Sequence, residues 1–416
     1  MKVLPWLTTM LLSTSLLNPA CCAQSLVDSA RNGTMSAAQV QSRLETVFGS
    51  SISVANARPL DLYKVRYRSQ DGRGRNVILS GLLVLPRGGA PKGLVVYTHG
   101  TTADRRLSPS RFRGTARGGE NELAVLAFAS GNYAVAMPDY LGLGDHAGAH
   151  PYPMGALNAR SAIDLIAPAR AVASRQGVAI GPRLFVTGYS EGGAVALWTV
   201  RVLETQHKMI RVSAAAPMSG PYDLSGAMRR SFMARTTNTA DFALQLYFLA
   251  YTIHSFHRNN GVRIVNYLKP AMAATVADAF GKNLSDEVIV RRLAIAAALM
   301  QANNSVQSVV TPRFWRALQT VDTRDPLIRA LKNNDLLNWS PRTQMLLIAL
   351  QNDRVVTEMN TRSALQAMRK RGVGSNMVRA TFVRDNRLTH LNALPSTLLL
   401  ARRFFDGGFA GIESTS

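Results

Sequence analysis

The chain has 416 residues, 47% of them hydrophobic and 18% charged, a globular composition that excludes disordered and fibrous classes. Lys and Arg number 48 against 25 acids, a net charge of +23, which taken alone points to a polyanion partner. The only cysteines, Cys21 and Cys22, are adjacent, so no loop-closing disulfide framework is available.

The chain opens with a positive start at Lys2, an apolar run over 3–17, and small residues up to Ala23. This reads as a cleavable export leader over 1–23, cut after Ala23, and it implies a secreted or periplasmic protein. The apolar run is too short for a membrane span of about 20 residues. A rival reading lipidates Cys21, but Asn18-Pro19-Ala20 matches that signal poorly. Residues 24–60 form a lead segment.

From residue 60 the pattern alternates between short β-rich runs and helical stretches. Residues 62–69 and 76–85, joined by the turn cluster Gln70-Asp71-Gly72-Arg73-Gly74, predict an antiparallel hairpin at a sheet edge. Continuous apolar runs at 93–98, 132–137, 183–187, 212–218, 344–350 and 377–383 carry the signature of strands buried on both faces. Helical stretches at about 119–130, 155–175, 191–206, 361–372 and 393–406 lie between or after them. The alternation predicts an α/β class with a mostly parallel, doubly wound sheet. One interval, 224–340, breaks it: stretches 241–256, 286–301 and 312–318 all read as helix, predicting an inserted helical cap. The catalytic domain is then 61–223 together with 341–416. Phe242, Tyr247, Phe248, Tyr251 and Phe256 put aromatic mass into the insert; most of it suits core packing, and some suits an acyl tunnel or a lipid-facing surface.

Residues 183–193 run as strand, sharp turn and helix start around Gly188-Tyr189-Ser190-Glu191-Gly192. This Gly-x-Ser-x-Gly turn needs small flanking residues because its strained backbone passes close to neighbouring strands. Ser190 would sit at a helix N-terminus, where free N–H groups favour a developing anion. The bare motif arises by chance roughly 0.2 times in such a chain; the strand before it and the unbroken apolar helix after it raise its weight.

A serine nucleophile needs a base, and the base an orienting acid. Of the histidines after Ser190, His207 ends the following helix, His254 and His257 fall in the insert, and His390 follows the last core strand. His390 is therefore the candidate base. For the acid, the strand 344–350 empties into Asp353 at the carboxyl edge of the sheet; Asp385 is the rival because it is close to His390. The backbone N–H groups of Glu191 and Thr101 are the candidate oxyanion donors, with His99 packing under the Thr101 loop.

With these residues in place the chain resembles the α/β-hydrolase superfamily, in its secreted bacterial lipase and esterase branch with a large cap. The resemblance rests on His99-Gly100-Thr101, Pro138 to Gly144, His150-Pro151-Tyr152, Leu184 to Gly193 and Ala214 to Leu224. It covers roughly 60–225 and 340–406 and implies a carboxylic ester hydrolase with the triad Ser190, Asp353 and His390. Glu191 departs from the neutral residue usual after the nucleophile. Tyr140, Tyr189 and Phe248 are candidate substrate contacts. A serine peptidase or amidase on the same fold, or a non-catalytic binder that kept it, are the alternatives.

No cofactor is expected. The pairs His146/His150 and His254/His257 lack an acidic partner at standard metal spacing, so no metal is expected either. Asn32, Asn283, Asn303 and Asn338 stand in glycosylation contexts, relevant only in a eukaryotic host. The arginines are scattered rather than clustered, which removes the nucleic-acid reading and leaves a salt-screened attraction to anionic membrane or cell-wall surfaces. The expected partner is an ester or lipid substrate.

Overall fold

A computed structural model describes residues 25–49, 57–115 and 118–413. The expected leader 1–23 lies outside these residues. Among the described residues nine strands form one sheet: β1 (Leu26–Met35), β2 (Leu60–Gln70), β3 (Asn76–Pro86), β4 (Leu94–Thr98), β5 (Ala134–Pro138), β6 (Leu184–Tyr189), β7 (Ala214–Met218), β8 (Met345–Leu350) and β9 (Val378–Val383). Their spatial order is β1-β2-β3-β5-β4-β6-β7-β8-β9. The pairs β1/β2, β2/β3 and β3/β5 are antiparallel, and every pairing from β5 to β9 is parallel. This is an α/β fold with a mostly parallel sheet.

The period of two along each strand distributes its side chains between two cores. Leu94 and Val96 of β4, Leu184 and Val186 of β6, and Met345 and Leu347 of β8 enter one core. The helices Gly155–Arg175, Glu191–Gln206 and Met359–Lys370 cover that face. Val95, Tyr97, Phe185, Leu346 and Ile348 point the other way, under the helices Ala37–Phe48, Gly119–Ala129 and Leu394–Gly407. Both faces are covered, which is why these strands read as unbroken apolar runs.

The β2/β3 hairpin is not at the sheet edge, as the sequence suggested. β1 pairs along β2 from Leu26↔Tyr67 to Met35↔Leu60 and takes the edge itself. Asp28, Ser29, Arg31, Asn32 and Thr34 hide this strand from a hydrophobicity pattern. Its hold is the backbone ladder, with Arg66–Asp28 and Arg31–Asp61 ion pairs, each at 2.6 Å, beside it.

Between β7 and β8 the chain is helical, through Arg229–Met233, Thr239–Asn260, Pro270–Gly281, Asp286–Leu299, Pro312–Thr320 and Pro326–Asn333. Phe242, Leu246, Ile253, Val276, Leu293 and Phe314 pack into a core separate from the two that flank the sheet. The longest helix starts where the Asn238 side chain accepts from the Asp241 amide and stops at Gly261, whose φ of 72° a residue with a β-carbon rarely adopts. Among the described residues no helix is long and apolar enough to cross a membrane.

Candidate active site

β6 ends at Tyr189 and the helix Glu191–Gln206 begins one residue later, so Ser190 alone makes the turn. It does so at φ 57° and ψ −123°, a conformation that costs a non-glycine residue about 1–3 kcal/mol. The surroundings impose it. The Ser190 amide donates to the Met218 carbonyl at 3.0 Å. A β-carbon at Gly188 would overlap the Thr98 side chain and carbonyl, and one at Gly192 would overlap the Thr98 carbonyl. Both glycines are therefore required by the close approach of β4.

The parallel strands β8 and β9 bring two further loops to the same edge. Ser190 Oγ lies 2.8 Å from His390 Nε2, and His390 Nδ1 lies 2.7 Å from Asp353 Oδ2. With Asp353 ionised, Nδ1 donates to the carboxylate and Nε2 is left to accept the serine proton. Asp353 Oδ1 accepts from the Val355 and Val356 amides, both at 2.9 Å, which fixes the carboxylate's orientation. Ser190, Asp353 and His390 are all buried. The rival acid, Asp385, instead grips Arg387 through both carboxylate oxygens, at 2.9 and 3.0 Å. That pairing holds its carboxyl down at about 2.

The loop after β4 carries Thr101 and is held from several sides. Gly100 lies against the Tyr189 carbonyl. The Gly100 amide donates to Glu120 Oε1 at 2.8 Å, as does the Tyr97 hydroxyl. Asp286, in the first turn of an inserted helix, accepts from Thr102 Oγ1 at 2.6 Å, the Ala103 amide at 2.7 Å and the Tyr247 hydroxyl at 2.7 Å. Burial drives His99 down to about 4, so its ring is neutral; Nδ1 donates to the Gly100 carbonyl at 2.7 Å. On the other side, the Glu191 amide is the first of its helix and has no acceptor within it. Burial also lifts the Glu120 carboxyl to about 7, against the pull of its bonds to Tyr97 and Gly100.

The three candidate substrate contacts fare differently. Phe248 lines a cavity of about 330 Å³ together with Met228, Phe232, Asp353 and Val355, next to the acid loop. Tyr189 is buried, and its hydroxyl donates to the His390 carbonyl at 2.7 Å, so it braces the base loop. Tyr140 is fully buried. Its hydroxyl donates to the His99 carbonyl at 2.9 Å, and its ring stacks on His99 at 4.2 Å and on His150 at 5.5 Å.

Three of the four paired histidines have ring nitrogens engaged with other groups. His146 Nδ1 accepts from the Gly142 amide, His150 faces Glu191 and Leu141, and His257 Nδ1 bonds to Val262. Among the described residues no group of three His, Cys, Asp or Glu is placed to hold a metal. Glu120, Asp286 and Asn158, which order the loops around Ser190, were not legible in the sequence. Each acts on a partner at least 20 residues away, and none stands in a motif.

No family model matches the chain, and no curated protein matches its sequence. Solved structures do. A putative hydrolase from Legionella pneumophila is 26% identical, with a TM-score of 0.79 over 92% of this chain and 97% of that one. The rice cell wall degrading esterase LipA from Xanthomonas oryzae is 24% identical, with a TM-score of 0.72 over 94% and 97%. Candida antarctica lipase A in its closed state is 13% identical, with a TM-score of 0.63 over 92% and 83%.

Proposed function

We propose that this chain, whose fold is that of solved hydrolase, esterase and lipase structures, cleaves carboxylic esters with Ser190 as nucleophile, His390 as general base and acid, and Asp353 as the group that orients His390. Its solved neighbours include an esterase and a lipase, which supports ester hydrolysis at the level of the family. The observation that carries the reading is the continuous hydrogen-bonded line Asp353–His390–Ser190, with separations of 2.7 and 2.8 Å.

In this reading His390 takes the proton from Ser190 Oγ as the oxygen attacks the ester carbonyl. The Glu191 and Thr101 amides receive the negative charge that forms on the carbonyl oxygen. His390 then protonates the departing alcohol. Water, deprotonated by His390, releases the acid from Ser190. Asp353 keeps the His390 tautomer with its free lone pair toward the serine.

The helical segment 224–340 serves as a cap, and the cavity beside Phe248 and Asp353 takes the acyl chain. Its volume of about 330 Å³ falls at the small end of the range for ligand pockets, roughly 300–1,000 Å³. It fits short to medium acyl groups. Residues 1–23 serve as an export leader, and the excess of arginine favours loose contact with anionic surfaces.

The test is turnover of p-nitrophenyl esters of graded length beside labelling with a fluorophosphonate. Wild-type protein is expected to label at Ser190, and Ser190→Ala to lose both labelling and turnover. An unlabelled wild-type protein would sink the proposal. Turnover of p-nitroanilides at rates comparable to the esters would reassign the enzyme to amide bonds.

A further inference from the structure

A second pair of ionisable side chains lies directly behind the nucleophile, and the triad does not use it. Glu191 follows Ser190 in the chain, yet its side chain turns inward and is buried, as are His150 and Asn158. Glu191 Oε1 lies 2.8 Å from His150 Nε2 and accepts from Asn158 Nδ2 at 3.0 Å. The other ring nitrogen, His150 Nδ1, lies 3.1 Å from the Leu141 carbonyl oxygen.

Hydrogen-bond bookkeeping motivates the charge assignment proposed below. A neutral imidazole has one N–H and one lone pair. Both nitrogens of His150 face oxygen: one a backbone carbonyl, which only accepts, the other a carboxylate oxygen already taking the Asn158 amide. Both ring nitrogens can be satisfied as donors when His150 is an imidazolium and Glu191 a carboxylate. Glu191 Oε2 is buried without a hydrogen-bond partner among the described residues, so a carboxylate here needs a counter-charge, and His150 is placed to supply one.

We propose that Glu191 and His150 form a buried carboxylate–imidazolium pair that positions the Glu191 amide and cancels the charge its carboxylate would otherwise set beside the oxyanion. The inference rests on the reading of Ser190 as nucleophile. Residue 191 has two tasks that conflict: its N–H stabilises negative charge, while its side chain carries negative charge. An uncompensated carboxylate one residue from the reacting centre would oppose the transition state. His150 resolves the conflict, and Asn158, on the helix Gly155–Arg175, holds the carboxylate from a second direction. His150 is thus a positioning and charge-compensating residue, with no contact to the reacting atoms. Other titratable groups face it: His99 and Tyr140 from the loops after β4 and β5, and Tyr251 from the inserted helix, with ring separations of 5.5 Å to Tyr140 and 6.0 Å to Tyr251. Burial holds both tyrosines well above their ordinary range, so they bring no negative charge to the pair.

Two measurements test the proposal. Nitrogen-15 NMR of histidine-labelled protein at pH 7.5, with His150→Gln used to assign the resonance, should show both His150 ring nitrogens protonated. A non-protonated Nε2 would overturn the charge assignment. In kinetics, His150→Gln should lower kcat by about tenfold or more with little change in KM, because it leaves the carboxylate uncompensated. Changing both residues, His150→Gln with Glu191→Gln, should return kcat most of the way, since a neutral pair removes the charge and keeps hydrogen bonds. A double variant no faster than His150→Gln would overturn charge compensation, and a His150→Gln variant with wild-type kcat would overturn the role altogether. The NMR result needs no turnover. If wild-type Ser190 failed to label, the hydrolase reading would fall and the ion pair would still be read independently.

Discussion

Tyr189 donates from its hydroxyl to the backbone carbonyl of His390 at 2.7 Å, so the strand that ends at Ser190 also holds the loop that carries His390. The two residues are 201 positions apart in the chain, and their rings lie 5.1 Å from centroid to centroid. Without this tie, His390 would depend on the Asp353 bond and on local turns such as the Thr389 amide to Asn392 at 2.6 Å. Tyr189→Phe should remove one buried hydrogen bond at a cost of about 1 kcal/mol in urea unfolding. It should lower kcat several-fold while KM stays put, because the bond positions His390 and no substrate group; a variant whose loss falls only on KM would contradict this.

The choice between the two acids is equally direct. Asp353 is bonded to His390, and Asp385 is bonded to Arg387. Asp353→Asn should cost on the order of 10⁴ in kcat, as loss of the orienting carboxylate leaves the wrong tautomer. Asp385→Asn should change kcat less than about twofold, because its carboxylate is committed to the exposed Arg387 and not to His390. Ester turnover by the two variants, side by side, checks it.

Asp286 joins the inserted helices to the loop that carries Thr101, accepting from Thr102, Ala103 and Tyr247. Asp286→Ala strands three donors, each worth about 1–3 kcal/mol when left unpaired. The variant should unfold at a lower denaturant midpoint and lose kcat as the loop loosens. A variant with lowered stability and wild-type kcat would detach Asp286 from the oxyanion loop.

Glu120 gives the fold a pH dependence of known sign. Burial raises its carboxyl from the ordinary 4.5 to about 7 in the native state. The unfolded chain therefore releases this proton first, and stability falls as pH rises from about 4.5 to about 7. Each tenfold difference in proton affinity between the folded and unfolded chain is worth about 1.4 kcal/mol, so the loss amounts to ~1–3 kcal/mol across that window. Glu120→Gln keeps an acceptor for Tyr97 and Gly100 and removes the titration. Its stability, followed by chemical unfolding at pH 5 and pH 8, should be flatter than that of the parent.

Much of this was legible from residue order. The apolar runs that become β4 to β8 are buried on both faces, so their composition needs no partner to interpret. The glycines around Ser190 mark a turn that no residue with a β-carbon could flank, and His390 stands in the loop after the last core strand. β1 was not legible, because polar residues fill it and its strand character comes from pairing with β2. The surroundings of Tyr140 were not legible for a related reason: its ring stacks on His99 and His150, which come from other segments of the chain.

The sequence by itself therefore determined the class of fold, the sharp turn at Ser190 and the chain order of Ser190, Asp353 and His390, since these depend on periodicity and on backbone sterics within a few residues. Only the tertiary structure decided which carboxylate faces His390, which groups brace the loops of His390 and Thr101, and that the Glu191 side chain meets His150. Those relationships depend on atoms within about 3 Å of one another that lie 20 to 200 residues apart in the chain. A short hydrogen bond is set by how the sheet stacks its loops along one edge, and no local pattern of residue types records that stacking.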